Sequence, residues 1–203
     1  MKTITKTLFA GLFTLMVSAS SMATTFAANT THSINTARSF NKIWVAGNVK
    51  IILSQSEKEG VFVDETFNPD KTSVLSKGQT LYINTMESSQ VTIRVAVKDL
   101  HRIEAAGSAV VVSSNNINVD FLQVFASQNA KVKVSAITGD LYTVVKEDAV
   151  LKMSGTAGQH TLVAGNMKNV KLDNLVAQKT IRKAPEMMIA TQEYAAIKQD
   201  TVR

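Results

Sequence analysis

Val111, Val132, Leu151 and Val170 follow one another at separations of 21, 19 and 19 residues. Ala109, Ala130 and Ala149 keep step two residues earlier, and Lys168 ends that second series. Small and β-branched residues at such an interval, each between alternating polar positions, are what a chain needs to lay successive strands in register. Elsewhere the chain also reads as strand: Val91, Ile93, Val95 and Val97 alternate with Thr92, Arg94 and Ala96, the mark of a half-buried strand. With two prolines and no helical periodicity before residue 184, the chain is expected to be all-β. The repeat predicts a right-handed parallel β-helix, a solenoid of about 20-residue coils.

The repeat has an earlier echo. Ile43-Trp44-Val45-Ala46-Gly47-Asn48-Val49-Lys50-Ile51 lies without gaps over Ile103-Glu104-Ala105-Ala106-Gly107-Ser108-Ala109-Val110-Val111, 60 residues on. That offset is close to three coils, so the repeat is expected to start near Phe40. A less regular stretch of strands interrupts it, with a hairpin over residues 72 to 84 turning at Ser76-Lys77-Gly78-Gln79. Gly107-Ser108, Gln128-Asn129, Glu147-Asp148 and Asn166-Met167 are expected to share one corner of the coils.

The two ends read differently. Lys2 and Lys6 precede the apolar run Leu8 to Val17, and small residues follow, so residues 1–28 are expected to be a secretory signal peptide. Cleavage after Ala23 (Ser21-Met22-Ala23) and after Ala27 (Thr25-Phe26-Ala27) both satisfy the small-x-small rule. Residues 29–39 are polar and aperiodic, a flexible leader; the domain is expected over 40–183, and 184–203 as a C-terminal tail or capping helix, with Pro185 and Glu186 at its first turn. The chain has no cysteine, so no disulfide supports it. No other segment has transmembrane length, so the protein is expected to be exported, periplasmic, on the outer surface or secreted, and not integral to a membrane.

Charge and chemistry narrow the function less. Residues 126 to 183 hold nine of the 22 Lys and Arg residues against four acids. This fits the solvated outer face of a β-structure whose lysines resist edge pairing; the alternative is a face for anionic polysaccharide or lipid headgroups. Lys131, Lys133 and Lys152 would form that face, and docking of an envelope protein there would weaken with salt. Asp99, Asp120 and Asp140 lie nearly one coil apart, a spacing that could bind calcium or supply an acid and a base. The apolar columns put Asp99 and Asp120 in step but Asp140 one position off, with Gln159 next, and turn-making aspartates fit better.

His32, His101 and His160 have no ligand spacing, and neither a zinc motif, a phosphate loop nor a nucleophile elbow is present. Trp44, Tyr82, Tyr142 and Tyr194 are candidate sugar platforms, though isolated aromatics more often pack. No catalytic, cofactor-binding or metal-ligating residue is therefore assigned, and no cofactor or nucleic-acid partner is expected.

Phe40-x-x-Ile43, the strand ending Val95-x-Val97-x-Asp99-Leu100, and Ile103-x-x-x-Gly107-Ser108-Ala109-x-Val111 resemble the GIN domain, the head of an autotransporter adhesin family of Bacteroidetes-type bacteria. The resemblance covers roughly residues 40 to 175. In the later corners, Gln128-Asn129-Ala130 and Glu147-Asp148-Ala149 replace the family's Ser-Gly-Ser pattern. The resemblance implies a β-helical, exported, non-enzymatic domain; the expected role is an adhesin-like binding or structural module of the cell envelope, its partner unidentified, with a cell-surface glycan or an envelope protein as the candidates. The alternative function is a polysaccharide-processing β-helix enzyme, a lyase or hydrolase, using Asp99 and Asp120 in a cleft with Arg102 or Arg94.

Overall fold

The structure is a computed structural model describing residues 32–34, 39–64 and 67–185. Its strands are β1 (His32–Ile34), β2 (Lys42–Ala46), β3 (Val49–Gln55), β4 (Gly60–Val63), β5 (Thr72–Lys77), β6 (Thr80–Thr85) and β7 (Val91–Val97). They continue with β8 (Arg102–Ala105), β9 (Val110–Ser113), β10 (Ile117–Ala126), β11 (Lys131–Val145), β12 (Val150–Ala164) and β13 (Val170–Lys183). A 3-10 turn, Met167–Asn169, precedes β13, and the Asn166 side chain accepts the Lys168 N–H at its start. The expected signal peptide and most of the C-terminal tail lie outside the described residues. Within the stretch expected as a flexible leader, His32–Ile34 pairs antiparallel with β4.

The all-β expectation holds, but a right-handed parallel β-helix is not what forms. The strands join one mixed sheet that curls into a nearly closed, barrel-like wall. Parallel pairs make up its middle, while β1 with β4, β4 with β7, and β5 with β6 are antiparallel. Nor does the sheet follow chain order: β2 lies between β6 and β8, and β3 between β7 and β9. The physical reason is that a constant interval specifies which residues can pair in register, whereas the order and closure of a sheet depend on connections of any length.

The 60-residue echo illustrates this. Ile43 pairs directly with Ile103 and Ile51 with Val111, so the two units are neighbours rather than three coils apart. The intervening chain leaves to form the β5–β6 hairpin, turned at Gly78 with φ +61°, and returns to pair β6 with β2 and β7 with β3.

Inward-facing residues form columns across the strands. One runs Leu81, Ile43, Ile103, Val124, Thr143, Leu162 and Arg182; another runs Ile93, Ile51, Val111, Val132, Leu151 and Val170. Their aliphatic members from β2 to β12 form the core and are essentially shielded from water. Asp introduced at Val132, at the centre of the second column, would bury an unpaired charge.

The corner that joins the two columns stacks Gly47 and Gly107, then Gln128 and Glu147, all with positive φ. At Gly47 (φ +86°) a Cβ would collide with the Thr85 carbonyl oxygen, and at Gly107 (φ +66°) it would lie 2.9 Å from the Gly47 nitrogen. Gln128 (φ +58°) and Glu147 (φ +57°) take the same bend with side chains attached. Three of the four corners the sequence implied share this bend, at Gly107, Gln128 and Glu147, with Gly47 added before them; at the fourth, Asn166 is extended (φ −121°) and caps the 3-10 turn instead.

Candidate functional site

The hollow that Asp99 borders is lined by neither Asp120 nor Asp140. Asp99 Oδ2 is 2.8 Å from His101 Nε2, and Asn41 donates to His101 Nδ1 at 3.2 Å, which leaves Nε2–H for the aspartate. His101 also stacks on Phe121 with ring centroids 4.3 Å apart. Both ring nitrogens of His101 are thus engaged, neither by a hydroxyl or thiol. Asp99 borders a hollow of about 160 Å³ with Ser39, Glu59 and Lys98. Lys98 is an exposed cation held above its ordinary pKa by hydrogen bonding to Glu57 and by that carboxylate's charge.

Asp120 is exposed, its backbone carbonyl accepting the Thr138 hydroxyl at 3.1 Å. Asp140 pairs with Phe121 on one side and Gln159 on the other, the one-position offset the columns implied. Arg102 donates to Gln123 and lies over the Phe125 ring at 4.6 Å, and Arg94 sits on β7 beside Phe62 and Ile52. Among the described residues, no group of three or more His, Cys, Asp or Glu could hold a metal ion.

The sheet brings together two sequence-predicted aromatics. Leu75, Tyr82, Trp44 and Glu104 stand side by side on β5, β6, β2 and β8, an outward row across four strands. Trp44 and Tyr82 rings lie 6.0 Å apart and tilted 48°, the ordinary spacing of a tilted aromatic pair. Tyr82 is 39% exposed and Leu75 56%. In the adjoining outward row Lys42 and Arg102 are paired, so cationic donors flank the rings. Phe125, next to Glu104, continues the row, and Tyr142 packs on it with centroids 5.9 Å apart. Leu75 was not singled out in the sequence, since only the hairpin register places it beside Tyr82.

A second outward row lies beyond the corner. Lys133 pairs with Lys152 and Lys152 with Lys171, all three exposed. Lys131, expected in the same face, belongs to the adjoining row and pairs with Val110 and Val150. Lys171 was missed as a member of this face although it repeats the same 19-residue interval.

The C-terminal end of the sheet contains a cavity of about 550 Å³ lined by His160, Leu172, Leu175, Ala177, Thr180 and Arg182. His160 is fully buried, with Nε2 2.8 Å from the Thr143 hydroxyl and Nδ1 without a partner. Burial, and secondarily the Arg182 charge, push its pKa below the usual imidazole value. Its environment favours the neutral ring, and among the described residues Nδ1 has no hydrogen-bond partner.

A family model described as "Putative auto-transporter adhesin, head GIN domain" matches residues 39–184. The chain belongs to this family. The GIN domain fold recurs in crystal structures. A putative adhesin from Bacteroides fragilis is 21% identical, with a TM-score of 0.68 over 76% of this chain and 75% of that one. A putative adhesin from Parabacteroides merdae is 17% identical, with a TM-score of 0.55 over 76% and 77%. A putative lipid binding protein from Parabacteroides distasonis is 16% identical, with a TM-score of 0.53 over 76% and 78%. At these identities the likeness is one of fold. No curated protein sequence matches significantly. Among the described residues, no helix is long and apolar enough to cross a membrane.

Proposed function

We propose that this GIN domain is a non-catalytic, exported adhesin-like module of the bacterial cell envelope that holds a cell-surface glycan on the Trp44–Tyr82 platform. In this reading the signal peptide expected within residues 1–28 is cleaved off, 40–183 form the binding domain, and 184–203 are its C-terminal tail or cap. The observation that carries it is the ring pair, half-buried Trp44 beside exposed Tyr82. Aromatic faces with adjacent charged donors suit sugars, whose C–H faces stack on rings while their hydroxyls take hydrogen bonds. Lys42, Arg102 and Glu104 provide those bonds within the same two rows. The pair is held by the register of β6 and β2, rigid elements that present it without a loop having to order on binding.

The test is a glycan array probed with the wild-type chain and with Trp44→Ala/Tyr82→Ala. Loss of the glycan signal with unchanged thermal unfolding supports the platform; retained signal removes it. N-terminal sequencing of protein recovered from the cell envelope should begin at Thr24 or Ala28. Protein still carrying Met1 would refute export by cleavage.

A further inference from the structure

We infer that the row Lys133–Lys152–Lys171 is a binding track for a linear polyanion with one carboxylate per sugar, an acidic polysaccharide of the uronate type. Each lysine pairs in register with the next, so their backbones are about 4.8 Å apart across the strands. Like charges side by side in a sheet destabilise it. Among the described residues none of the three has a carboxylate within ion-pair distance. The nearest acids along the chain are Asp173, two residues after Lys171, and Asp148, four before Lys152.

Protection of a sheet edge does not account for this row. Lysines guard unpaired edges, but Lys133 and Lys152 lie on β11 and β12, each of which is paired on both sides. A repulsive row in the interior of a sheet is a cost to folding that a bound polyanion would reverse. The arrangement is also linear: one ammonium per strand, at the same place in three successive strands. A polymer with one carboxylate per sugar offers charge in the same one-dimensional form, whereas a membrane surface rewards charge spread over an area.

The neighbouring row on this side supports a sugar. Ser135 pairs with Ser154 and, past a bulge in β13 that contains Asp173, Ser154 pairs with Asn174, placing small polar groups beside the lysines. The Ser135 hydroxyl donates to Asn116 at 2.6 Å, while those of Ser154 and the Asn174 amide make no side-chain hydrogen bond among the described residues. Beyond Lys133 the lysine row continues through half-buried Val112 and Ile52 to Arg94. This track and the Trp44–Tyr82 platform lie on opposite sides of the glycine corner, so each can be lost without the other.

The experiment measures binding of polygalacturonate to the purified chain by calorimetry at low and at physiological salt. The triple variant Lys133→Gln/Lys152→Gln/Lys171→Gln is compared with Lys58→Gln/Lys77→Gln/Lys146→Gln, which removes the same charge from other exposed sites. The wild type should bind, more weakly as salt rises, and the row variant should lose about tenfold or more while the control loses little. Thermal unfolding gives a second reading: removing the repulsion should leave the row variant at least as stable as wild type. Equal losses in both triples would reduce the effect to net charge and overturn the track, as would absence of polygalacturonate binding. Row-dependent binding to phosphatidylglycerol vesicles without binding to the polymer would assign the row to a membrane and also overturn it. Loss of polymer binding in Trp44→Ala/Tyr82→Ala with none in the row variant would assign the polymer to the aromatic platform and overturn the track.

Discussion

The two ends of the sheet are built from the same columns but finish differently. Toward the N-terminal side the columns end in Leu81 and Ile93, fully buried, with β5 and β4 closing over antiparallel. Toward the C-terminal side the same positions become Thr143, Leu162 and Arg182, and the column through Leu122 and Leu141 becomes His160 and Thr180. The inner face of β13 is half-buried at best. One end is therefore a finished core, and the other is a polar-lined cavity on an edge strand. The β12–β13 ladder at the open end stays paired along its length apart from one bulge between Lys152 and Ser154, so pairing does not by itself make a core. The residues placed in the column decide that.

The largest expected effect tests this difference within one column. Ile103→Ala, at the closed end, should cost about 2–5 kcal/mol, since it removes buried methylenes from a site walled by Ile43 and Val124. Arg182→Ala, at the open end of that column, should change stability by no more than about 0.5 kcal/mol. Urea unfolding of both variants compares them directly. Similar losses would mean that the C-terminal end is as tightly packed as the rest.

How much of this was legible in the sequence follows from the same columns. The spacing of Val111, Val132, Leu151 and Val170 identified residues that do pair in register, because a two-residue side-chain period makes any slip turn the apolar set outward. The Gly78 hairpin was legible too, since a glycine between two alternating runs has few other uses. What the spacing could not carry was closure. Ile43 and Ile103 matched, yet nothing local says whether a 60-residue offset means adjacency or three turns of a coil, and the expected β-helix followed from the second reading. The site was less legible still. Trp44 and Tyr82 were nameable, but only the β2–β6 register makes them a pair, and it took the β11–β13 register to show that Lys171, not Lys131, continues the row from Lys133 and Lys152.

An intermediate effect separates the ends by pH. His160 holds its proton less tightly when folded than the free imidazole does, because burial and the Arg182 charge disfavour the cation. Between the folded value and the unfolded one of about 6.5, the unfolded chain binds more protons. The contribution is thus fully present above about pH 6.5 and is lost as pH falls through the folded value. His160→Leu should flatten this part of the stability profile, whereas substitutions at the closed end should leave it unchanged. Thr143→Val removes the partner of Nε2 and should cost about 1–3 kcal/mol, with much of that recovered in Thr143→Val/His160→Leu, where both polar partners are gone. An acid slope that persists in His160→Leu would locate the sensitivity elsewhere.

The smallest effect concerns the corner that runs between the ends. Glu147 adopts φ +57° at a position that Gly47 and Gly107 occupy without a side chain. A left-handed conformation costs an L-residue roughly 1–2 kcal/mol, and glycine returns about 0.5–1 kcal/mol of that as lost chain entropy. Glu147→Gly should therefore stabilise by a few tenths to about 1 kcal/mol in chemical denaturation. Gln128→Gly should gain less, because the Gln128 side chain accepts the Gly107 N–H, and the variant relieves the bend but releases that bond. If the two gains were equal, the hydrogen bond would contribute nothing net. If Glu147→Gly destabilised instead, the Glu147 side chain would have to hold the corner through contacts outweighing its backbone strain, and glycine in the first two corners would then answer only to the close approach of Gly47 to the Thr85 carbonyl and of Gly107 to Gly47.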